Sequence, residues 1–86
     1  MNYIVKFSKS AAKAFEKLPN TTQKRIEQKL EYLKISPRGN DTKKLKGSTN
    51  YYRTRVGDYR IIFEIYDKEL LVWIVDIDSR DDVYRK

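Results

Sequence analysis

Residues 44–63 run Lys-Leu-Lys-Gly-Ser-Thr-Asn-Tyr-Tyr-Arg-Thr-Arg-Val-Gly-Asp-Tyr-Arg-Ile-Ile-Phe. Gly57-Asp58 has the composition of a two-residue hairpin turn. Centring the hairpin there puts Val56 opposite Tyr59, Arg55 opposite Arg60 and Arg53 opposite Ile62. Alternation along the strands sends Tyr52, Thr54, Val56, Tyr59, Ile61 and Phe63 to one face, a coherent surface to bury, and the arginines to the other. Two like charges directly across a ladder destabilise it by up to about 1 kcal/mol, so the bare arginine pair calls for an anion.

Outward from the hairpin, residues 3–7 predict a short strand, and Ser8 is a natural N-cap for a helix through Leu18. Ala11, Phe15 and Leu18 form its apolar stripe, and Pro19 ends it. Asn20 is expected to cap a second helix, with Gln23 as its capping-box partner and Ile26, Leu30 and Leu33 as its buried face. Lys24, Arg25, Glu27, Gln28, Lys29, Glu31 and Lys34 make up a solvated side without a catalytic role. The breaker cluster Ser36-Pro37-Arg38-Gly39-Asn40-Asp41 stops that helix near Ile35, and a basic loop follows to Asn50.

Strands are expected over 51–56, 59–67 and 70–78, with a turn at Asp67-Lys68-Glu69. In the last of these, Leu71, Trp73, Val75 and Ile77 alternate with Leu70, Val72, Ile74, Asp76 and Asp78, the pattern of a strand covered on both sides. Ser79 and Asp82 have capping-box spacing for a final helical turn over 80–86. The expected fold is α+β, β-α-α-β-β-β, with a helical hairpin on one face of a small, mainly antiparallel sheet and a short C-terminal turn. The opposite face then carries Arg53, Arg55 and Arg60.

The 86 residues suffice for one domain, 1–86. With no Cys and no His, the chain lacks thiolates, the commonest zinc ligand and the commonest general base, so no metal or other cofactor is expected. Neither a signal h-region nor a membrane-spanning run is present, and a cytoplasmic location without membrane association is expected. The net charge of +7 is uneven, with twelve Lys/Arg against four Asp/Glu in residues 1–50 and seven against eight in residues 51–86. That basic half is the footprint of a polyanion or an acidic protein partner.

Arg55 and Arg60 can clamp one phosphate, because guanidinium forks match phosphate oxygens. Neutralisation by a nearby carboxylate, Glu64 or Asp76, is the bland alternative. Lys43, Lys44 and Lys46 are candidate contacts to a nucleic-acid backbone, or simply a solvated loop. Of the seven tyrosines, Tyr52 and Tyr59 belong to the core by alternation and Tyr32 flanks it. Tyr51 shares the arginine face, where an aromatic ring can stack on an RNA base, and Tyr84 has no evident packing partner. Trp73 is expected in the core.

Lys44-Leu45-Lys46-Gly47, the run Tyr52 to Ile61, and Arg80-Asp81-Asp82-Val83-Tyr84 resemble the RelE/ParE superfamily of bacterial and archaeal toxins, over essentially the whole span from Tyr3 to Tyr84. The likeness is greatest to the RelE branch. It implies a toxin of a type II toxin–antitoxin system, a ribosome-dependent endoribonuclease that cuts messenger RNA and is neutralised by a cognate acidic antitoxin in a hetero-oligomer. It assigns catalytic positions to Arg53, Arg55, Arg60, Arg80 and Tyr84. Ser79 stands where many nuclease members have His, and Arg53 and Arg55 stand where some have Lys; arginine does not deprotonate readily, so no general base is assigned. The same superfamily leaves two further expectations open: a ParE-like protein that binds DNA gyrase, and an inert antitoxin-binding module.

Overall fold

A computed structural model describes residues 2–45 and 50–79. In chain order the elements are β1 (Ile4–Phe7), α1 (Lys9–Glu16), α2 (Asn20–Ile35), β2 (Lys43–Lys44), β3 (Tyr51–Val56), β4 (Tyr59–Tyr66) and β5 (Leu71–Ser79). They build an α+β fold in which the sheet order is β1-β5-β4-β3-β2, with β1 parallel to β5 and the other pairs antiparallel. Over the described residues the expected segment sequence holds, with one addition. Inside the basic stretch expected as loop, Lys43 and Lys44 pair with Arg53 and Tyr52 as a short edge strand. Two lysines without apolar alternation give no strand signal, yet they suit a sheet edge that must resist further pairing. Among the described residues no helix is long and apolar enough to cross a membrane.

Ser8 caps α1 as expected, its Oγ accepting from the Ala11 amide at 3.0 Å. The helix ends at Glu16, two residues short of the expected Leu18, since Leu18 precedes a proline and is steered away from the α region. The expected cap of α2 is not made. Pro19 occupies the cap position without a side-chain bond and Asn20 is already helical. Gln23 donates instead from Nε2 to the Phe15 carbonyl at 2.9 Å, which ties the second helix to the end of the first.

Ala11, Ile26, Leu30 and Leu33 from the helices meet Val56, Ile61, Phe63, Val72, Ile74 and Ile77 from the sheet, all buried. Phe63 is wholly enclosed, and truncating such a side chain to Ala typically costs about 3–5 kcal/mol. Tyr52 and Tyr59 pack against this core as expected. Tyr32 does not: it is exposed, with Lys29 Nζ 5.7 Å from its ring centroid and Gly39 against its hydroxyl end.

Register along β5 departs from simple alternation. Ile62 pairs with Asp76, but Phe63 pairs with Ile74, so Val75 is skipped. Without this bulge, Asp76 and Asp78 would share a face with Val72 and Ile74, and two carboxylates would enter the core at a cost that burial of apolar neighbours does not offset. The extra residue reverses the parity. Ile77 joins Val72 and Ile74 in the core, and Asp76 and Asp78 turn to the arginine face. Trp73, paired with Glu64 and half-buried, stands on that outer face and not in the core.

Candidate anion-binding site

The hairpin forms in the expected register, Val56 opposite Tyr59, Arg55 opposite Arg60 and Arg53 opposite Ile62. Gly57 has φ 57° while Asp58 stays at negative φ, the pattern of a type II′ turn, in which glycine takes the first central position and its twist suits the strands. A tight turn therefore aims Arg53, Arg55 and Arg60 onto one face beside β2.

A cleft of about 360 Å³ opens where β2 stops, lined by Asn40, Asp41, Lys43, Arg53, Thr54 and Arg55. The Lys43–Arg53 pairing, continued by two residues, would join Asp41 to Arg55. The chain has turned away by then, with the Thr42 amide bonded to the Gly39 carbonyl at 3.0 Å. Three cations and an open strand edge thus share one concavity. Asp41 is its acid, and it is already engaged: Lys29 Nζ lies 2.8 Å from Oδ2 and holds the carboxyl below its ordinary range. A carboxylate so stabilised in its charged form accepts hydrogen bonds but is a poor proton acceptor.

Arg60 stands beside the cleft residue Arg55 and contacts neither acid expected for it. Glu64 accepts from the Tyr66 hydroxyl at 2.9 Å, and Asp76 accepts from the Ile77 amide. The acid that reaches Arg60 is Asp78, its register partner on β5, with Nη2 3.4 Å from Oδ2. Neither Arg53 nor Arg55 makes an ion pair among the described residues, so the row carries more positive charge than those residues neutralise.

The structure brings together Lys43, Arg53, Arg55 and Arg60 from the sequence-derived set. Lys44 is exposed and paired with Tyr52, outside the cleft lining. Tyr51 shares the arginine face but sits at the far end of the strand, opposite Glu64. Lys46, Arg80, Tyr84 and the predicted C-terminal turn lie outside the described residues. Asn40, Asp41 and Asp78 are the additions. Asn40 and Asp41 look like ordinary breaker residues in the sequence, and Asp78 meets Arg60 through a long-range register.

Residues 5–84 match the family described as the ParE toxin of type II toxin–antitoxin systems, parDE. The chain belongs to this family. Within the RelE/ParE superfamily the toxin lies on the RelE-like branch. It is 42% identical over 65 residues to toxin RelE3 of Methanocaldococcus jannaschii, spanning 71% of this chain and 74% of that protein. To the mRNA interferase toxin RelE of Escherichia coli K12 it is 26% identical over 83 residues, spanning 94% of this chain and 86% of the relative. A chain in the crystal structure of the archaeal RelE–RelB complex from Pyrococcus horikoshii OT3 superposes with TM-score 0.82 at 32% identity, covering 93% of the toxin and 97% of that chain. Helices on one face of a five-stranded mixed sheet are therefore this toxin's family architecture, and the arginine row lies on the other face.

Proposed function

We propose that this toxin is an endoribonuclease that cuts messenger RNA on the ribosome, with the Arg55–Arg60 pair holding the reacting phosphate. The observation that carries the proposal is their direct opposition across the hairpin, flanked by the cationic cleft. In the proposed reaction the 2′-hydroxyl oxygen of one nucleotide attacks the adjacent phosphorus as its proton departs. The bond to the 5′-oxygen of the next nucleotide breaks, and that oxygen takes up a proton, leaving a cyclic phosphate and a free 5′-hydroxyl. Arg55 and Arg60 hold the non-bridging oxygens, Arg53 and Lys43 hold the neighbouring backbone, and Arg80 and Tyr84 serve the leaving oxygen and the nucleotide. A chain without His contributes mainly positioning and charge stabilisation, which fits reliance on the ribosome to present the message. An acidic antitoxin is the proposed partner, supported by the RelE–RelB pairing of the structural relative and by the net charge of +7.

The decisive experiment expresses the chain alone and maps RNA ends on a translated message, with Arg60→Ala as the control. Cleavage in the parent and its loss in a folded Arg60→Ala variant is the expected result; equal cleavage by both sinks the proposal. The family match to ParE favours one second reading, gyrase binding without RNA cleavage, for which DNA damage without new RNA ends is the signature.

A further inference from the structure

The bulge in β5 brings two acids to the arginine face, and among the described residues only Asp78 of the two reaches an arginine. Arg60 lies in the middle of a row across three strands, with Arg55 on β3 to one side and Asp78 on β5 to the other. Repulsion from Arg55 and attraction to Asp78 act along the same line, so both draw the guanidinium toward β5. Arg60 is the more enclosed partner, 23% exposed against 43% for Asp78. Its Nε is buried and finds no hydrogen-bond acceptor among the described residues. Among the described residues, Asp78 is the one acid paired with this guanidinium, and its carboxylate draws the Nη2 end toward β5.

We propose that Asp78 is a positioning residue that holds the Arg60 guanidinium in the orientation from which it meets the reacting phosphate; this rests on the RNA-cleaving function proposed above. The same negative charge has an opposite effect on binding. It repels the RNA backbone, so the toxin gives up ground-state affinity in return for a preorganised contact, a trade that favours reaction over mere association. Asp78 touches no substrate in this scheme and acts wholly through Arg60.

Such a residue separates binding from rate, whereas one needed only for folding moves both in the same direction. The test compares the parent, Asp78→Asn and Asp78→Glu as full-length proteins matched for thermal melting. A single-stranded RNA oligonucleotide serves for binding, translated message on ribosomes for cleavage, and nitrogen-15 relaxation of the Arg60 Nε–Hε signal for side-chain restraint. Asp78→Asn is expected to bind RNA about threefold more tightly at low salt, the effect in water of removing one nearby negative charge. It is expected to cut about 10- to 100-fold more slowly at saturation, as a misplaced group does, and to show a more mobile Arg60 signal. Asp78→Glu should recover part of both the rate and the restraint. Unchanged saturated cleavage in Asp78→Asn, or an Arg60 signal as restrained as in the parent, overturns the proposal. A parent that cuts no message, while its Arg60 signal loosens in Asp78→Asn, overturns the nuclease function and upholds Asp78 as the group that orients Arg60.

Discussion

The Ser8 hydroxyl donates to the Val75 carbonyl at 2.8 Å while its oxygen accepts from the Ala11 amide at 3.0 Å. Val75 is the residue that the β4–β5 register skips, so one side chain both caps α1 and braces the bulge that puts Asp78 beside Arg60. Ser8→Ala removes both bonds and should destabilise the protein by about 1–2 kcal/mol. Ser8→Thr, which keeps the hydroxyl, should retain most of the stability. Urea melts of the two variants check this, and a Ser8→Ala midpoint equal to the parent's would show that the bulge stands without the brace.

Thr54 has the opposite character. It sits 1% exposed between Arg53 and Arg55 but on the core face, and its Oγ1 finds no partner among the described residues. A buried hydroxyl without a hydrogen bond loses its hydration with no return, so Thr54→Val, nearly isosteric, should stabilise the fold by about 1–2 kcal/mol. A lower melting temperature for Thr54→Val would mean that the hydroxyl is satisfied in solution.

Beyond the end of α2, Arg38 grips Asp67 in the β4–β5 turn through both Nη groups, at 3.0 and 2.9 Å, and the Tyr3 hydroxyl donates to the same carboxylate at 2.7 Å. The Arg38 bonds and then that of Tyr3 lower the Asp67 carboxyl to about 2, against about 3.9 in an unfolded chain. A depressed carboxyl stabilises the fold above its unfolded value and loses that contribution as pH falls through its folded one. The stability gap between parent and Asp67→Asn should therefore be full above about pH 4 and close toward pH 2. Thermal melts across that window check it, and a constant gap would place the contribution in packing and not in charge.

Gly57 has a positive φ of 57°, which side-chain-bearing residues rarely adopt. A side chain there meets backbone strain, so Gly57→Ala should cost about 1–2 kcal/mol. Because the turn fixes the register of Arg55 against Arg60, RNA affinity should fall along with stability. A Gly57→Ala protein with parental melting and parental affinity would show that the hairpin register does not depend on this turn.

RNA affinity should fall linearly on a log–log plot against salt, through release of counterions from each neutralised phosphate. Lys43→Ala and Arg53→Ala, which alter the cleft, should each lower the slope by about one unit, whereas Lys44→Ala, outside the lining, should change it less. Equal slopes in all three variants would remove the cleft as the binding locus.

Short-range chemistry makes part of this protein legible in its residues alone. A Gly-Asp turn sets the hairpin register within two residues, so the opposition of Arg55 and Arg60 and the buried row of Thr54, Val56, Ile61 and Phe63 follow from the order of side chains along the strands. The same holds for Ser8 as the α1 cap and for the apolar stripe Ile26, Leu30 and Leu33. Long-range packing settles the rest: the pairing of β1 beside β5, the Lys43–Lys44 edge strand, and the closure of the cleft by Asn40 and Asp41. Those contacts join distant segments, and two lysines carry no periodicity to announce a strand. The bulge at Val75 belongs to the same class. Simple alternation sends Asp76 and Asp78 into the core, and only the packed sheet, unable to bury two carboxylates, shifts the register and delivers Asp78 to Arg60.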